Sequence, residues 1–127
     1  MQIKTIHHIA IICTDYERSK RFYMEVLGAE IICETWREQR RSHKLDLRLG
    51  NAQIELFSFP KPPPRPTRPE ACGLRHLALG VEDLEDCFAH LQQHDVLVEP
   101  IRTDDLTDKR FTFFQDPDGL PLELYEL

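Results

Sequence analysis

Two histidines and two glutamates form the clearest chemical pattern in this sequence. His8 and His76 lie 68 residues apart, and Glu55 and Glu123 are separated by the same 68 residues. Two imidazoles and two carboxylates suit one divalent cation, because the carboxylates offset its charge and imidazole favours zinc, nickel, cobalt and iron. The pattern therefore predicts one metal site with His8, Glu55, His76 and Glu123 as its ligands.

The sequence around the glutamates supports this interpretation. Glu55 stands within the apolar run Ile54–Phe57, and Glu123 within Leu122–Tyr125, both typical of buried strands. A carboxylate in such a strand is costly to bury unless it is paired or coordinated. Neither run contains Lys or Arg, so a bound cation is the simplest expected source of compensating charge.

The separation of 68 residues extends beyond these four side chains. It also superposes Asp15 on Asp83, each a candidate N-cap before a helix with apolar residues at helical spacing. Copies 6–59 and 74–127 result, joined by the proline-rich segment 60–73. That segment predicts an extended spacer and excludes a helical crossover.

Each copy is expected to contain a strand, a helix and three further strands, an order written βαβββ. The first helix should carry its apolar stripe to Val26 and end before Gly28. The expected strands are 5–13, 30–36, 44–49 and 52–58 in the first copy, then one around His76 followed by 98–102, 110–115 and 120–126. The predicted class is α+β, with residues 1–127 as a single domain.

Composition restricts the classes of function. In 127 residues there are 16 Lys and Arg against 22 Asp and Glu, a net charge of −6 that argues against nucleic-acid or anionic membrane partners. No apolar run predicts a membrane span or a signal peptide, so a cytoplasmic protein is expected. The four cysteines are too scattered for a disulfide framework and are predicted to be free thiols.

Taken together, these motifs resemble the vicinal oxygen chelate superfamily, and especially its small bacterial glyoxalase I-like (lactoylglutathione lyase-like) members. The residues that carry the resemblance are His8–Ile11, Phe22–Gly28, Ile54–Leu56, His76–Leu79, Asp116–Gly119 and Leu122–Leu124. It implies two βαβββ modules that form a curved mixed sheet around the metal, usually in a homodimer. Nickel, cobalt or zinc is the implied metal, with iron or manganese as alternatives, and no other cofactor is implied.

The same resemblance implies a metal-dependent lyase or isomerase. Its small-molecule substrate would be an α-oxo compound or hemithioacetal, a thiol adduct that reacts through an enediolate. Glu123 is the implied catalytic base and Glu55 its symmetric competitor. Ile12 and Phe59 stand where glutathione-using members carry arginine and asparagine, so the thiol carrier stays open.

One stretch from Trp36 to Arg48 is basic in an otherwise acidic chain. Its members are Trp36, Arg37, Arg40, Arg41, Lys44 and Arg48. They are interpreted either as contacts to an anionic substrate arm or as a solvated charged loop. Of the other histidines, His7 is expected to point away from His8, and His90 with His94 to lie on a solvated helix face.

Four other functions suit the same resemblance. An Fe(II)-dependent extradiol-type dioxygenase uses two histidines and one carboxylate, and Glu55 as a fourth ligand argues against it. An acyl-CoA epimerase would use the same proton transfer. A non-catalytic antibiotic-binding protein would not need four ligand-type residues, and a thiol-transferring resistance enzyme is a further alternative.

Overall fold

Both halves of the chain fold into a four-stranded mixed sheet with one helix. The structure is a computed structural model that describes residues 1–127. It is organised as two compact units, Met1–Pro63 and Pro64–Leu127. Each unit has the order βαβββ, which confirms the predicted α+β class.

The first unit places its first and last strands side by side. Its elements are β1 (His8–Cys13), α1 (Tyr16–Arg21), β2 (Glu30–Arg37), β3 (Ser42–Leu49) and β4 (Ala52–Ser58). The spatial order is β1-β4-β3-β2. Strand β1 runs parallel to β4, while the other neighbours are antiparallel.

The first helix begins and ends where the sequence predicts, but its last turn is π-helical. The Asp15 carboxylate accepts a hydrogen bond from the Arg18 backbone N–H at 3.0 Å, which confirms the predicted N-cap. After Arg21 the chain continues as a π-helical turn, Phe22–Val26, in which the Leu27 N–H donates to the Phe22 carbonyl at 3.2 Å. Gly28 follows at φ +71°, so the predicted end of the helix is confirmed.

The second unit repeats this topology. Its elements are β5 (Leu77–Val81), α2 (Leu84–Gln93), β6 (Arg102–Thr103), β7 (Arg110–Gln115) and β8 (Pro121–Glu126). The spatial order is β5-β8-β7-β6, with β5 parallel to β8. The Asp83 carboxylate caps α2 by accepting from the Asp86 N–H at 2.8 Å.

The predicted strand at 98–102 is wrong in extent. Only Arg102–Thr103 forms a ladder with β7. Pro100 has no N–H to donate, which prevents a continuous ladder. The preceding chain still follows β7, because Glu99 donates its N–H to the Phe113 carbonyl at 2.8 Å and accepts from the Thr112 hydroxyl at 2.6 Å.

Alternation along the strands divides each sheet into two faces. Ile54 and Leu56 of β4 are buried on the helix side, as are Leu122 and Leu124 of β8. Residues between them point to the opposite face, which we call the site face of each unit. The site face carries Glu55 in the first unit and Glu123 in the second.

Two further findings concern the whole chain. All four cysteines are free thiols, as predicted, with Cys13 buried and Cys87 half-buried. Neither helix has the length and apolar character needed to cross a membrane.

An ion-pair cluster joins α1 to β2 on the helix side of the first sheet. The Tyr16 hydroxyl donates to Glu34 at 2.6 Å, and the Lys20 ammonium donates to both Glu34 oxygens at 2.8 Å. The Lys20 ammonium and the Tyr16 hydroxyl hold the pKa of Glu34 below its ordinary value. Burial, together with Glu34, raises the pKa of Tyr16.

Lys20→Met is therefore expected to lower stability in a pH-dependent way. The pKa of Glu34 is depressed in the folded state, so its stabilisation is present above the unfolded-state pKa and is lost as the pH falls through the folded-state pKa. We expect a loss of about 0.5 kcal/mol at pH 7, because Glu34 is partly exposed and screened. Urea unfolding at pH 7 and pH 3 measures it. A deficit equal at both pH values, or matched by Arg48→Met at the more exposed Glu30 pair, would contradict the assignment.

Candidate functional site

The first predicted ligand pair comes together on the site face of the first unit. His8 begins β1, and the parallel register places Ala10 beside Glu55 of β4. The His8 Nε2 atom lies 3.6 Å from Glu55 Oε2. That distance is too long for a hydrogen bond, so the two polar atoms face each other without bonding directly.

The second pair repeats the arrangement in the second unit. His76 directly precedes β5, and the register places Ala78 beside Glu123 of β8. The His76 Nε2 atom lies 3.1 Å from Glu123 Oε2. In both units, then, the glutamate lies beside the alanine that follows the histidine by two residues.

The donor set and its spacing fit a metal ion. Two ligands held about 2.0–2.2 Å from one ion lie roughly 3.0–3.6 Å from each other, depending on the coordination angle. Both pairs fall within this range. His76 Nδ1 is buried without a hydrogen-bond partner, whereas Nε2 faces Glu123 and is the ring nitrogen placed to act as a ligand. The residues within each unit therefore suit a divalent metal.

The structure brings the four predicted ligands together only as two pairs. It contains no group of three or more His, Cys, Asp or Glu side chains placed to hold a metal ion. The association of the pairs around one ion stays a prediction.

Lys44 corrects the expectation that Glu55 lacks a nearby cation. Its ammonium lies 3.0 Å from Glu55 Oε1 and also contacts Asp46. Burial alone would lower the pKa of Lys44, but the hydrogen bonds to Asp46 and Glu55 outweigh it and raise that pKa. The expectation failed because the cation comes from the neighbouring strand, β3.

Glu123 has different surroundings. Its cross-strand neighbour is Phe113, whereas that of Glu55 is Asp46. No ammonium or guanidinium lies within 4.0 Å of Glu123, and the His76 ring contacts the Phe113 ring edge-to-face at 5.2 Å. Glu123 therefore lacks a nearby protein cation, as the sequence predicts, whereas Glu55 has one.

A match to a protein-family model shows the superfamily of the chain. The model of the Glyoxalase/Bleomycin resistance protein/Dioxygenase superfamily matches residues 5–124. The chain belongs to this superfamily. The predicted vicinal oxygen chelate membership is thereby confirmed.

Similar proteins cover the whole length of this superfamily member. The chain is 63% identical to the uncharacterized protein YwkD of Bacillus subtilis (strain 168), over 99% of each sequence. It is 62% identical to the uncharacterized protein YaeR of Escherichia coli (strain K12), over 98% of this chain and 97% of that one. A crystal structure of a glyoxalase family protein from Enterococcus faecalis has a TM-score of 0.92 and 49% identity, covering 99% of this chain and 100% of that one.

More distant superfamily members include enzymes. A 2-epi-5-epi-valiolone epimerase from Actinomyces sp is 29% identical over 96% of this chain and 79% of its own length. The metallothiol transferase FosB of Staphylococcus saprophyticus is 27% identical over 97% of this chain and 77% of its own length. A variant of FosX from Listeria monocytogenes, complexed with Mn(II), shares the fold at a TM-score of 0.76 and 17% identity, over 98% of this chain and 93% of that one.

In this superfamily member the basic stretch divides between the two faces of the first sheet. Trp36 contacts His43 at 4.8 Å between ring centroids, and His43 stacks on Tyr16 of α1 at 4.2 Å, so these rings lie on the helix side. Arg37 and Lys44 lie on the site face, where Lys44 reaches Glu55. The stretch is therefore neither wholly a solvated loop nor wholly a lining of the site.

The remaining histidines do not extend the ligand set. The expectation for His7 is wrong, because its Nδ1 lies 2.9 Å from His8 Nδ1; His7 precedes β1, so strand alternation does not direct its side chain. His90 and His94 are exposed on α2 with ring centroids 4.6 Å apart, as a solvated helix face predicts.

The sequence analysis does not connect Lys44 and Asp46 with Glu55, although the turn between β3 and β4 indicates the connection. Gly50 and Asn51 form a two-residue connection that places Leu49 opposite Ala52. Counting back along both strands from that turn puts Asp46 opposite Glu55 and Lys44 one step away diagonally.

Proposed function

We propose that this protein is a divalent-metal-dependent lyase or isomerase of the glyoxalase I type, acting on an α-oxo compound or its hemithioacetal. His8, Glu55, His76 and Glu123 are the proposed ligands of one ion, such as nickel, cobalt or zinc. The proposal holds whether the two pairs come from one subunit or from both subunits of a homodimer.

One observation carries the proposal: two repeat-related His–Glu pairs occupy equivalent positions on the two site faces. The Nε2–Oε2 separations of 3.6 and 3.1 Å suit ligands of a common ion. A fourth protein ligand also favours this function over oxygen activation, which needs more open coordination positions.

The proposed reaction moves one proton between two adjacent carbons of the substrate and one between their oxygens. A divalent ion held by these ligands would stabilise negative charge on the two adjacent substrate oxygens. Glu123 takes the proton from the carbon alpha to the carbonyl and returns it to the neighbouring carbon, while the hydroxyl proton of the hemithioacetal passes to the adjacent oxygen. A hemithioacetal then becomes an α-hydroxy thioester without an external oxidant or reductant, because the hydrogen stays in the molecule.

The two glutamates are not equivalent in this role. One oxygen of Glu55 is bound by the Lys44 ammonium, whereas no such cation contacts Glu123. Glu123 is thus the carboxylate that can approach the substrate carbon without breaking an ion pair. This asymmetry supports the assignment of Glu123 as base and Glu55 as a retained ligand.

Metal analysis followed by a substrate screen tests the proposal. The purified protein is analysed for metal, stripped with a chelator and reloaded with nickel, cobalt, zinc or manganese. Thioester formation is then followed with methylglyoxal and either glutathione, coenzyme A or smaller thiols. We expect chelation to abolish turnover and reloading to restore it. Protein that takes up no metal would contradict the proposal and favour a non-catalytic binding protein, whereas catechol cleavage by the Fe(II) form would favour the dioxygenase.

A further inference from the structure

Arg37, at the end of β2, has no acidic partner on the site face of the first unit. Its guanidinium donates through Nε and Nη2 to the buried Ser42 hydroxyl at 3.2 and 2.6 Å. No carboxylate lies within 4.0 Å of it. Because a guanidinium carries five N–H donors, three remain available once Ser42 has accepted two.

Two aromatic rings hold the same guanidinium in place. The Arg37 Cζ atom lies 4.6 Å from the Phe57 ring centroid and 5.4 Å from that of Phe59. The two rings are nearly parallel, 6.1 Å apart. Arg37 is therefore oriented by a hydroxyl and by stacking, without having its charge neutralised.

Contacts connect this arginine to the proposed metal ligands. Phe57 lies under Arg37 and is also 5.9 Å from the Lys44 ammonium, which binds Glu55. Lys44 itself is occupied by two carboxylates. Among the cations that β2 and β3 place on this face, Arg37 is the one without a carboxylate partner, and it lies one aromatic ring away from the Lys44–Glu55 pair.

Arg102 in the second unit is a natural comparison. Its Cζ atom also lies over two rings, 5.0 Å from Phe111 and 5.9 Å from Phe113. Unlike Arg37, it donates to a carboxylate, that of Glu99, at 2.8 Å. The stacked arginine thus recurs in both units, but only Arg37 keeps an uncompensated charge.

We infer that Arg37 binds the anionic end of the substrate's carrier arm, a carboxylate or phosphate group, while Phe57 and Phe59 contact the apolar part of that arm. A planar guanidinium with unused donors matches such oxyanions in a bidentate way. The reaction assigned to this substrate rests on the proposed function, whereas anion binding by Arg37 does not.

Matched thiols test the inference by charge alone. Methylglyoxal adducts of 3-mercaptopropionate and 3-mercapto-1-propanol differ in one carboxylate, and those of 4′-phosphopantetheine and pantetheine differ in one phosphate. We expect the wild type to favour the anionic member of one pair in kcat/KM. Arg37→Gln should reduce that preference about 10- to 100-fold. Whichever pair responds identifies carboxylate or phosphate as the group bound.

Arg102→Gln is the matched control and should keep the wild-type preference. Arg37→Lys retains the positive charge but loses the planar, bidentate donor geometry of the guanidinium. This variant should therefore keep only part of the wild-type preference for the anionic thiol. An unchanged preference in Arg37→Gln, or an equal loss in Arg102→Gln, would overturn the inference.

Binding without turnover separates this inference from the proposed function. The protein is titrated with the stable thioether 3-(methylthio)propionate and with methylphosphonate, and 3-(methylthio)-1-propanol and methanol serve as their neutral controls. The NMR resonances of the Phe57 and Phe59 rings and of the Arg37 Nε–H are followed. We expect saturable shifts with an anionic probe that disappear in Arg37→Gln. If no adduct is turned over, the proposed function fails and these shifts alone decide the anion site. The absence of shifts in the wild type, or shifts that persist unchanged in Arg37→Gln, would refute the anion site.

Discussion

Glu123→Gln is expected to reduce kcat by about 10³-fold, in line with the loss of a positioned general base. Glutamine has the shape of glutamate and keeps an oxygen that can face an ion, but it cannot accept the substrate proton. Metal content should therefore stay close to that of the wild type. Steady-state kinetics with the best adduct, combined with metal analysis of the same preparation, measure both effects.

Glu55→Gln is the matched control for this prediction. It removes the same charge at the repeat-related position, where Lys44 already binds one carboxylate oxygen. We expect it to weaken metal binding more than it lowers kcat of the loaded enzyme. Full activity in Glu123→Gln, or a larger loss of kcat in Glu55→Gln, would show that the base is assigned to the wrong glutamate.

His76→Ala is expected to weaken metal binding on the order of 100-fold or more, since even residues that only support ligands cost 10- to 100-fold. Its Nε2 atom faces Glu123 Oε2 at 3.1 Å, and no other imidazole in the second unit contacts that carboxylate. A metal that binds only the folded protein raises stability by about 2.7 kcal/mol at 100 times its dissociation constant. Thermal melts with and without added metal should therefore show a rise in Tm for the wild type and little for the variant.

His94→Ala provides a control for the loss of an imidazole. His94 is exposed at the end of α2, next to His90. We expect its metal affinity and its metal-dependent rise in Tm to match those of the wild type. Equal behaviour of His76→Ala and His94→Ala would remove His76 from the ligand set.

The repeat made much of the fold predictable. A shared separation of 68 residues identified both helix caps, and the period of two along each strand assigned Glu55 and Glu123 to one face and their apolar neighbours to the other. The details that failed depend on backbone hydrogen bonds. The π-helical turn Phe22–Val26 leaves Phe22 and Tyr23 buried, as an ordinary helix would, so apolar spacing does not reveal it.

The surroundings of the site were harder to predict than the ligands. Residue type and repeat position singled out four side chains, but the partner of Glu55 depends on the register of β3 against β4. Lys44 was grouped with a basic stretch because it is close to Arg40 and Arg41 in sequence. Pairing between strands separates it from those residues and brings it to Glu55.

The parallel pairing of β1 with β4 also has a consequence for the order of folding. His8 and Glu55 are 47 residues apart, as are His76 and Glu123, so each pair forms only when the first and last strands of a unit meet. The β3–β4 hairpin closes over a two-residue turn and should form early, whereas docking of β1 closes the longest loop in the unit and should come late. The facing His–Glu pairs proposed to bind a metal ion are then absent until the first strand of each unit has docked.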